Sequence, residues 1–200
     1  MPVDPFQGEL EKVYDSLGLE DSGFEKMVSH YRLLVRWNRK MNLTRVVAPA
    51  EAAWRHFGES LFLFKQCHLA GKRVVDIGSG GGFPGLPVAA YDPSCHVTAL
   101  EPIGKKANFL REVTRDWPNV RIEQARLEDF SGGFDWALAR AVRLEDRATD
   151  LARLASSVGL LVATDSAPPG DCHDWGPAIQ LPSAPERSLL VGSQRSTWNG

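Results

Sequence analysis

Residues 74–91 read VVDIGSGGGFPGLPVAAY. Five of the eight residues from Gly78 to Gly85 are glycine. A glycine run after a short apolar strand brings backbone close to a ligand, because no Cβ blocks the approach. The literal dinucleotide pattern G-x-G-x-x-G spans Gly80 to Gly85. That pattern alone is weak, and it requires the strand to run straight into Gly80. Here Asp76 and Gly78 precede it, so the strand is expected to end near Asp76. The loop then reads D-x-G-x-G-x-G through Asp76, Gly78, Gly80 and Gly82. No Gly-Lys-Ser/Thr follows, which excludes a Walker A loop.

The D-x-G-x-G-x-G form suits S-adenosylmethionine. This ligand has no phosphate and carries an amino group, a sulfonium and a carboxylate. Asp76 can meet the amino-acid moiety, directly or through water. Glu101 closes the next apolar run, HVTAL, where a carboxylate can accept both hydroxyls of a ribose. Glu101 serves NAD equally well, so NAD and a mere turn stay open at this level.

Working outward, residues 8–66 read as helical. Leu33, Leu34, Trp37 and Met41 share one arc at helical spacing, with Arg32, Arg36, Arg39 and Lys40 on the other side. Asn42-Leu43-Thr44 ends that helix, and a second runs over roughly 50–66. Beyond Gly71 the pattern alternates. Strands are expected at RVVDIG, HVTAL, NVRIEQA, FDWALARA and SVGLLVAT, with helices from Pro84, at GKKANFLREVTRD and around 144–155. This alternation predicts an α/β fold with a mostly parallel, doubly wound sheet. AIQL and SLLVG, near the end, are expected to form an antiparallel hairpin on the sheet edge.

Composition sets limits. With 43% hydrophobic and 24% charged residues, the 200-residue chain is an ordinary globular one. A net charge of −2 gives no global basic field. From Arg32 to Arg55, however, six Lys or Arg face one acid, Glu51. The three cysteines are widely spaced with no C-x-x-C, which fits a reducing, cytoplasmic setting. No signal-peptide or membrane-spanning pattern is read. His56 with Glu59, and Asp171-Cys172-His173-Asp174, fall short of a metal motif, so no metal is expected.

RWNRKMNLT, RHFGESL, VVDIGSGGGFPGLPVA, LEPIGKKANFLREV, ARLEDF and ARAV occur in that order. In this combination the chain resembles the RsmG (GidB) family of bacterial 16S ribosomal RNA guanine-N7 methyltransferases, from about Tyr31 to Gly159. The resemblance implies a Rossmann-like class I methyltransferase sheet with helices on both faces and an N-terminal helical appendage. Residues 1–66 would be that appendage and 67–200 the S-adenosylmethionine-binding domain, the two packed as one compact unit. It implies that Gly78 and Phe83 contact the donor, that Leu127 and Glu128 contact its adenine, and that Glu101 is the ribose acid. Arg140 of ARAV matches an arginine near the active site. His56, by the RHFGES match, is assigned to the substrate pocket. Asn42 either bonds a base or caps its helix.

Arg32, Arg36, Arg39, Lys40, Arg45 and Arg55 are expected to meet ribosomal RNA or the small ribosomal subunit, with the protein a monomer. The chain also departs from the family. Gly58 stands where a larger apolar residue is common, and Ala163-Thr164-Asp165-Ser166 stands where a lysine and a glycine are usual. The helix that normally precedes the last two strands is replaced by a short Pro/Gly-rich stretch. The rival readings are an NAD-dependent oxidoreductase and a noncatalytic RNA- or ribosome-binding protein with a vestigial fold.

Overall fold

The computed structural model describes residues 4–195. The outermost ends of the two expected segments, residues 1–3 and 196–200, lie outside the described residues.

Helix α1 (Pro5–Leu17) begins where Asp4 Oδ1 accepts the Phe6 N–H at 3.0 Å, with proline in the first turn. It stops at Gly18, in the left-handed conformation. Helix α2 (Phe24–Met41) ends at Asn42, also left-handed at φ 49°, a conformation asparagine tolerates. A short loop leads to α3 (Pro49–Ala52), a π-helical turn (Ala53–Gly58) and α4 (Glu59–Gln66). The π-helical turn, invisible to a 3.6-residue periodicity, lies within the segment expected to be one helix. Gly58 ends it. A Cβ there would meet Val13 Cγ1 of α1 at 3.4 Å, an ordinary contact, so the space would admit a methyl group.

The α/β part follows as β1 (Arg73–Ile77), α5 (Gly85–Tyr91), β2 (His96–Leu100), α6 (Gly104–Val113), β3 (Val120–Glu123), β4 (Phe134–Arg140), α7 (Ala148–Leu154) and β5 (Ala155–Ala163). These five strands are parallel. Three more, β6 (His173–Trp175), β7 (Ile179–Leu181) and β8 (Ala184–Gln194), complete an eight-stranded sheet. Its order is β3-β2-β1-β4-β5-β8-β6, with β7 also paired to β8. β1, β4 and β5 bury consecutive residues because both faces of a central parallel strand are covered. β1 extends one residue past the expected end, to Ile77.

The C-terminal part departs from expectation. β7 and β8 do form an antiparallel hairpin, but β8 is not at the edge. It pairs with β5 on one side and with β6 and β7 on the other. Its eleven residues are long enough to take both short strands along one flank. Among the described residues, no helix stands between β5 and β8.

One face of the sheet, with Val74, Leu138 and Leu161, packs on α1, α2, α5 and the α3–α4 segment. The other, with Val75, Ile77, Ala139 and Leu160, packs on α7 and Leu127. Between β2 and β4 the strand order reverses direction about β1. The loops after β1 and β4 therefore part at that point and leave a crevice at the carboxyl ends of the strands.

Candidate active site

The crevice opens as a cleft of about 270 Å³ lined by Ile77, Gly78, Leu100, Pro102, Leu127 and Val142. Glu128 and Arg147 stand at its rim. A second cleft of about 240 Å³ lies against the ends of β4 and β5, with Ala139, Leu160 and Ser166 in its wall. The two share Val142, Arg143 and Leu144, so a single turn of chain after β4 divides them.

Of the loop glycines, Gly78 faces the first cleft. Its φ is +67°, and a Cβ there would lie 2.8 Å from Val142 Cγ2. Glycine is required here on both counts. The rest of the loop turns inward. The N–H groups of Gly82 and Phe83 donate to Ser79 O at 2.7 and 3.0 Å. Gly82 and Phe83, expected at the donor, are buried, and neither they nor half-buried Gly80 are among the residues lining this cleft. Gly80 donates its N–H to Glu101 Oε2 at 2.8 Å, and Glu101 Oε1 accepts the Ile103 N–H at 2.9 Å. Glu101 is thus fixed by backbone and buried, between Leu100 and Pro102 of the cleft wall.

Asp76 also differs from expectation. It is fully buried beneath the loop, and its Oδ2 accepts the Gly85 N–H at 3.0 Å. A Cβ on Gly85 would collide with that carboxylate at 2.7 Å. Burial pushes Asp76 up to about 6, against the pull of its hydrogen bonds and of Arg140. It steadies the start of α5 and does not line the cleft.

Phe83 is sandwiched between two histidines. His30 stacks on it at 4.8 Å and His56 at 4.5 Å, with the Arg140 guanidinium 5.1 Å from the ring centre. The His30 Nε2–H donates to Gly81 O at 2.7 Å, pinning the loop from α2. Burial lowers His30 to about 4. His30 was missed by sequence reasoning, although it shares the apolar arc of Leu34 and Trp37.

Arg140, at the end of β4, is nearly enclosed. Its Nη1 donates to Arg55 O at 2.6 Å and its Nη2 to His56 Nδ1 at 2.8 Å. A guanidinium only donates, so His56 Nδ1 is the acceptor and the ring proton resides on Nε2. That Nε2 lies 3.0 Å from Thr44 Oγ1 and 3.1 Å from Val46 O. Burial first, then the Arg140 charge, lower His56 to about 3, so it is neutral at physiological pH. Both ring nitrogens are engaged. The place in a substrate pocket expected for His56 is therefore not available to it in this structure. Asn42 is exposed at the α2 C-cap, with no part in this network.

Glu59 lies buried between two arginines, 3.7 Å from Arg140 Nη1 and 2.9 Å from Arg187 Nε. Burial raises its carboxyl while Arg187 and Arg140 draw it back. Arg187 is the β8 residue opposite Ala163 in register. The segment after β5 carries no base, and a guanidinium from the neighbouring strand reaches that end of the sheet instead. No local sequence signal announces this, because strand pairing alone brings residue 187 to residue 163.

A family model described as rRNA small subunit methyltransferase G (GidB) matches residues 23–167. The chain belongs to that family. A relative from Sodalis glossinidius, named ribosomal RNA small subunit methyltransferase G, is 36% identical over 129 residues, 62% of each chain. The chain therefore spans 62% of the length of that relative. One of the same name from an Enterobacter strain is 34% identical over 170 residues, 82% of this chain and 81% of that one. Among solved structures, a SAM-dependent methyltransferase from Aquifex aeolicus aligns with a TM-score of 0.58 over 72% of this chain and 93% of its own, at 14% identity. That likeness shows a Rossmann-like α/β fold, as expected.

In this family member the expected basic residues divide into two sets. Arg32 pairs with Asp4 at 3.0 Å, and Arg55 with Glu51 at 3.1 Å and Glu186 at 3.7 Å. Arg36, Arg39, Lys40 and Arg45 are exposed and form no ion pair among the described residues. No group of three or more His, Cys, Asp or Glu among the described residues is arranged to hold a metal. His173 of the metal-like stretch is buried in β6, and Asp174 pairs with Arg195 at 2.7 Å. No helix among the described residues is long and apolar enough to cross a membrane.

Proposed function

We propose that this chain transfers a methyl group from S-adenosylmethionine to N7 of a guanine in 16S ribosomal RNA. The observation that carries the reading is the coincidence of the family match with an apolar cleft at the strand ends whose floor is Gly78. The residues present fit the donor. A Cβ at residue 78 would crowd Val142 across the cleft, Leu100, Pro102 and Leu127 offer apolar walls for an adenine, and Glu128 offers a carboxylate for hydroxyl or amino groups, with Glu101 buried beside Leu100 and Pro102. The dinucleotide reading is the weaker one. It needs Gly80 against the ligand, and Gly80 is turned toward Glu101.

Bound there, the donor would supply an electrophilic methyl group on a sulfonium. Guanine N7 already carries an in-plane lone pair, so the chain need not remove a proton. Its task is to align the base, exclude water and set the field. Arg140 holds a fixed positive charge at the end of β4, with burial lowering it only to about 10. Neutral His56 orients that charge and does not act as a base. The second cleft, across Val142 from the first, is the place for the target base. Arg36, Arg39, Lys40 and Arg45 would meet phosphates, with the protein acting as a cytoplasmic monomer on ribosomal RNA or the small subunit. Residues 1–66 and 67–200 would work as one unit, since His30 of the first holds the glycine loop of the second.

Mass mapping of methylated nucleotides in ribosomal RNA, from cells with and without this protein, tests the reading. One methylated guanine that appears only with the protein is expected. Identical maps would overturn it. Calorimetry with S-adenosylhomocysteine and with NAD tests the cleft separately.

A further inference from the structure

The neighbouring sequence pieces NLT and RHFGES and the distant ARAV meet in one hydrogen-bonded line. At its outer end, the loop after α2 is held by Asn38. Its Nδ2 donates to Thr44 O at 3.0 Å, and its Oδ1 accepts the Thr44 N–H at 2.9 Å. Thr44 Oγ1 then accepts the Val46 N–H at 3.0 Å and lies 3.0 Å from His56 Nε2. His56 Nδ1 accepts from Arg140 Nη2 at 2.8 Å. Each step has one sensible polarity, because the guanidinium at the inner end can only donate. The outer end is on the surface. Arg39, Lys40 and Arg45, exposed and unpaired among the described residues, flank the loop that Thr44 anchors. The inner end is the buried cation beside the turn that divides the two clefts.

We infer that Thr44 and His56 are positioning residues that transmit the placement of the exposed basic loop to Arg140. This rests on the methyl-transfer reading for its kinetic consequence, though the line itself does not. Phosphate contacts at Arg39, Lys40 and Arg45 would hold the loop. The loop would then hold Thr44, and Thr44 with Val46 O would keep the His56 proton on Nε2, leaving Nδ1 free for Arg140. Among the described residues, Arg140 has no other side-chain acceptor within hydrogen-bond distance, since Glu59 stands at 3.7 Å. Its orientation is therefore set by two bonds, Nη1 to the Arg55 carbonyl and Nη2 to the His56 ring, of which only the second is made by a side chain. A small misplacement of a group that aligns reactants lowers turnover far more than it lowers binding.

The experiment compares full-length wild type with Thr44→Val, which keeps the shape and removes the hydroxyl, and Thr44→Ser, which restores it. Turnover with ribosomal RNA is measured at saturating RNA and donor, beside S-adenosylhomocysteine affinity and the melting temperature. Thr44→Val is expected to lower kcat about tenfold, with donor affinity changed less than about twofold and the melting temperature nearly unmoved. Thr44→Ser is expected to recover most of kcat. Unchanged kcat in Thr44→Val would overturn the inference. So would an equal loss in both variants, or a loss that simply follows donor affinity or melting. Nitrogen NMR of His56 in the wild type provides a reading independent of any variant. The Nε2–H tautomer is expected, and the Nδ1–H tautomer would overturn the line even if Thr44→Val failed to fold. If wild type methylated no RNA while His56 showed the expected tautomer, the functional reading would fall and the hydrogen-bonded line would stand.

Discussion

The two flanks of the β4 end are built on opposite principles. On the side of the N-terminal helices, His30, Phe83, His56, Arg140, Glu59 and Arg187 are packed together, and two guanidinium groups share the one carboxylate of Glu59. On the side of α7, the cleft under Gly78 is open, mostly apolar and rimmed by Glu128 and Arg147. Side chains with the most chemistry fill the closed flank, and the open space lies on the other. The contrast shows that a residue recognisable by motif can serve the buried network and stand outside the cleft wall. Burying an arginine demands that its donors be satisfied, and much of RHFGES and ARAV answers that demand.

The largest test of the contrast is on the closed flank. Arg140→Ala removes a cation from beside Glu59 and leaves His56 Nδ1 and Arg55 O without their donor. Breaking a buried pair this way is expected to lower stability by about 3–5 kcal/mol, read as a fall in the urea midpoint. A loss below about 1 kcal/mol would mean the flank is solvated and not a closed network.

Gly78→Val attacks the open flank. It forces a β-branched residue into φ +67° and against Val142. Donor affinity is expected to fall at least about 100-fold by S-adenosylhomocysteine calorimetry, with stability affected less than by Arg140→Ala. Unchanged affinity would remove Gly78 from the donor site.

Asp76 lies beneath both flanks and makes a pH prediction. Its folded value, about 6, exceeds the ordinary 3.8 because of burial. The protonated carboxyl suits its buried place. The cost of ionising it there sets in as pH rises past the unfolded value, and it reaches its full size once pH passes about 6. Asp76→Asn, which keeps an oxygen for the Gly85 N–H, should therefore gain on wild type as pH rises from about 4 to about 8. The gain is on the order of 2–3 kcal/mol, read from denaturant midpoints in the absence of donor. A stability difference flat with pH would show that Asp76 is not strained by its burial.

The smallest expected effect is on the outer surface. Arg36→Glu with Lys40→Glu should weaken RNA binding and flatten its salt dependence, by about one counterion for each phosphate no longer bound, while leaving donor affinity alone. Arg32→Gln should do less, because Asp4 already holds that guanidinium. Equal RNA binding by all three proteins across a salt series would reject the basic face.

Much of the fold was legible. The alternation of apolar runs with helical arcs placed the five parallel strands, and Asp76 before Gly78 shifted the loop register away from the dinucleotide pattern. The edge of the sheet was not legible. SLLVG reads as a short strand, yet β8 runs from Ala184 to Gln194 and joins β5 to two further strands, because pairing on both sides overrides local propensity. The site was legible as a set of residues and not as a set of roles. Phe83, His56 and Asp76 carry motif or chemical signals that suggest ligand contact, and each is turned inward by a hydrogen bond or a ring stack. His30 gave only a helical-arc signal, and Arg187 gave none.

By itself, the order of residues determined the α/β class, the glycine loop at the end of β1, the helical N-terminal part and the family. These follow from periodicity and from local requirements of backbone geometry, which short stretches of chain carry within themselves. Tertiary structure alone decided which loop glycine faces the cleft, that His56 is a neutral acceptor for Arg140, and that Arg187 stands beside Ala163 and Glu59. Those facts depend on which buried donor finds which acceptor, and the partners are brought together only by packing of segments far apart in the chain.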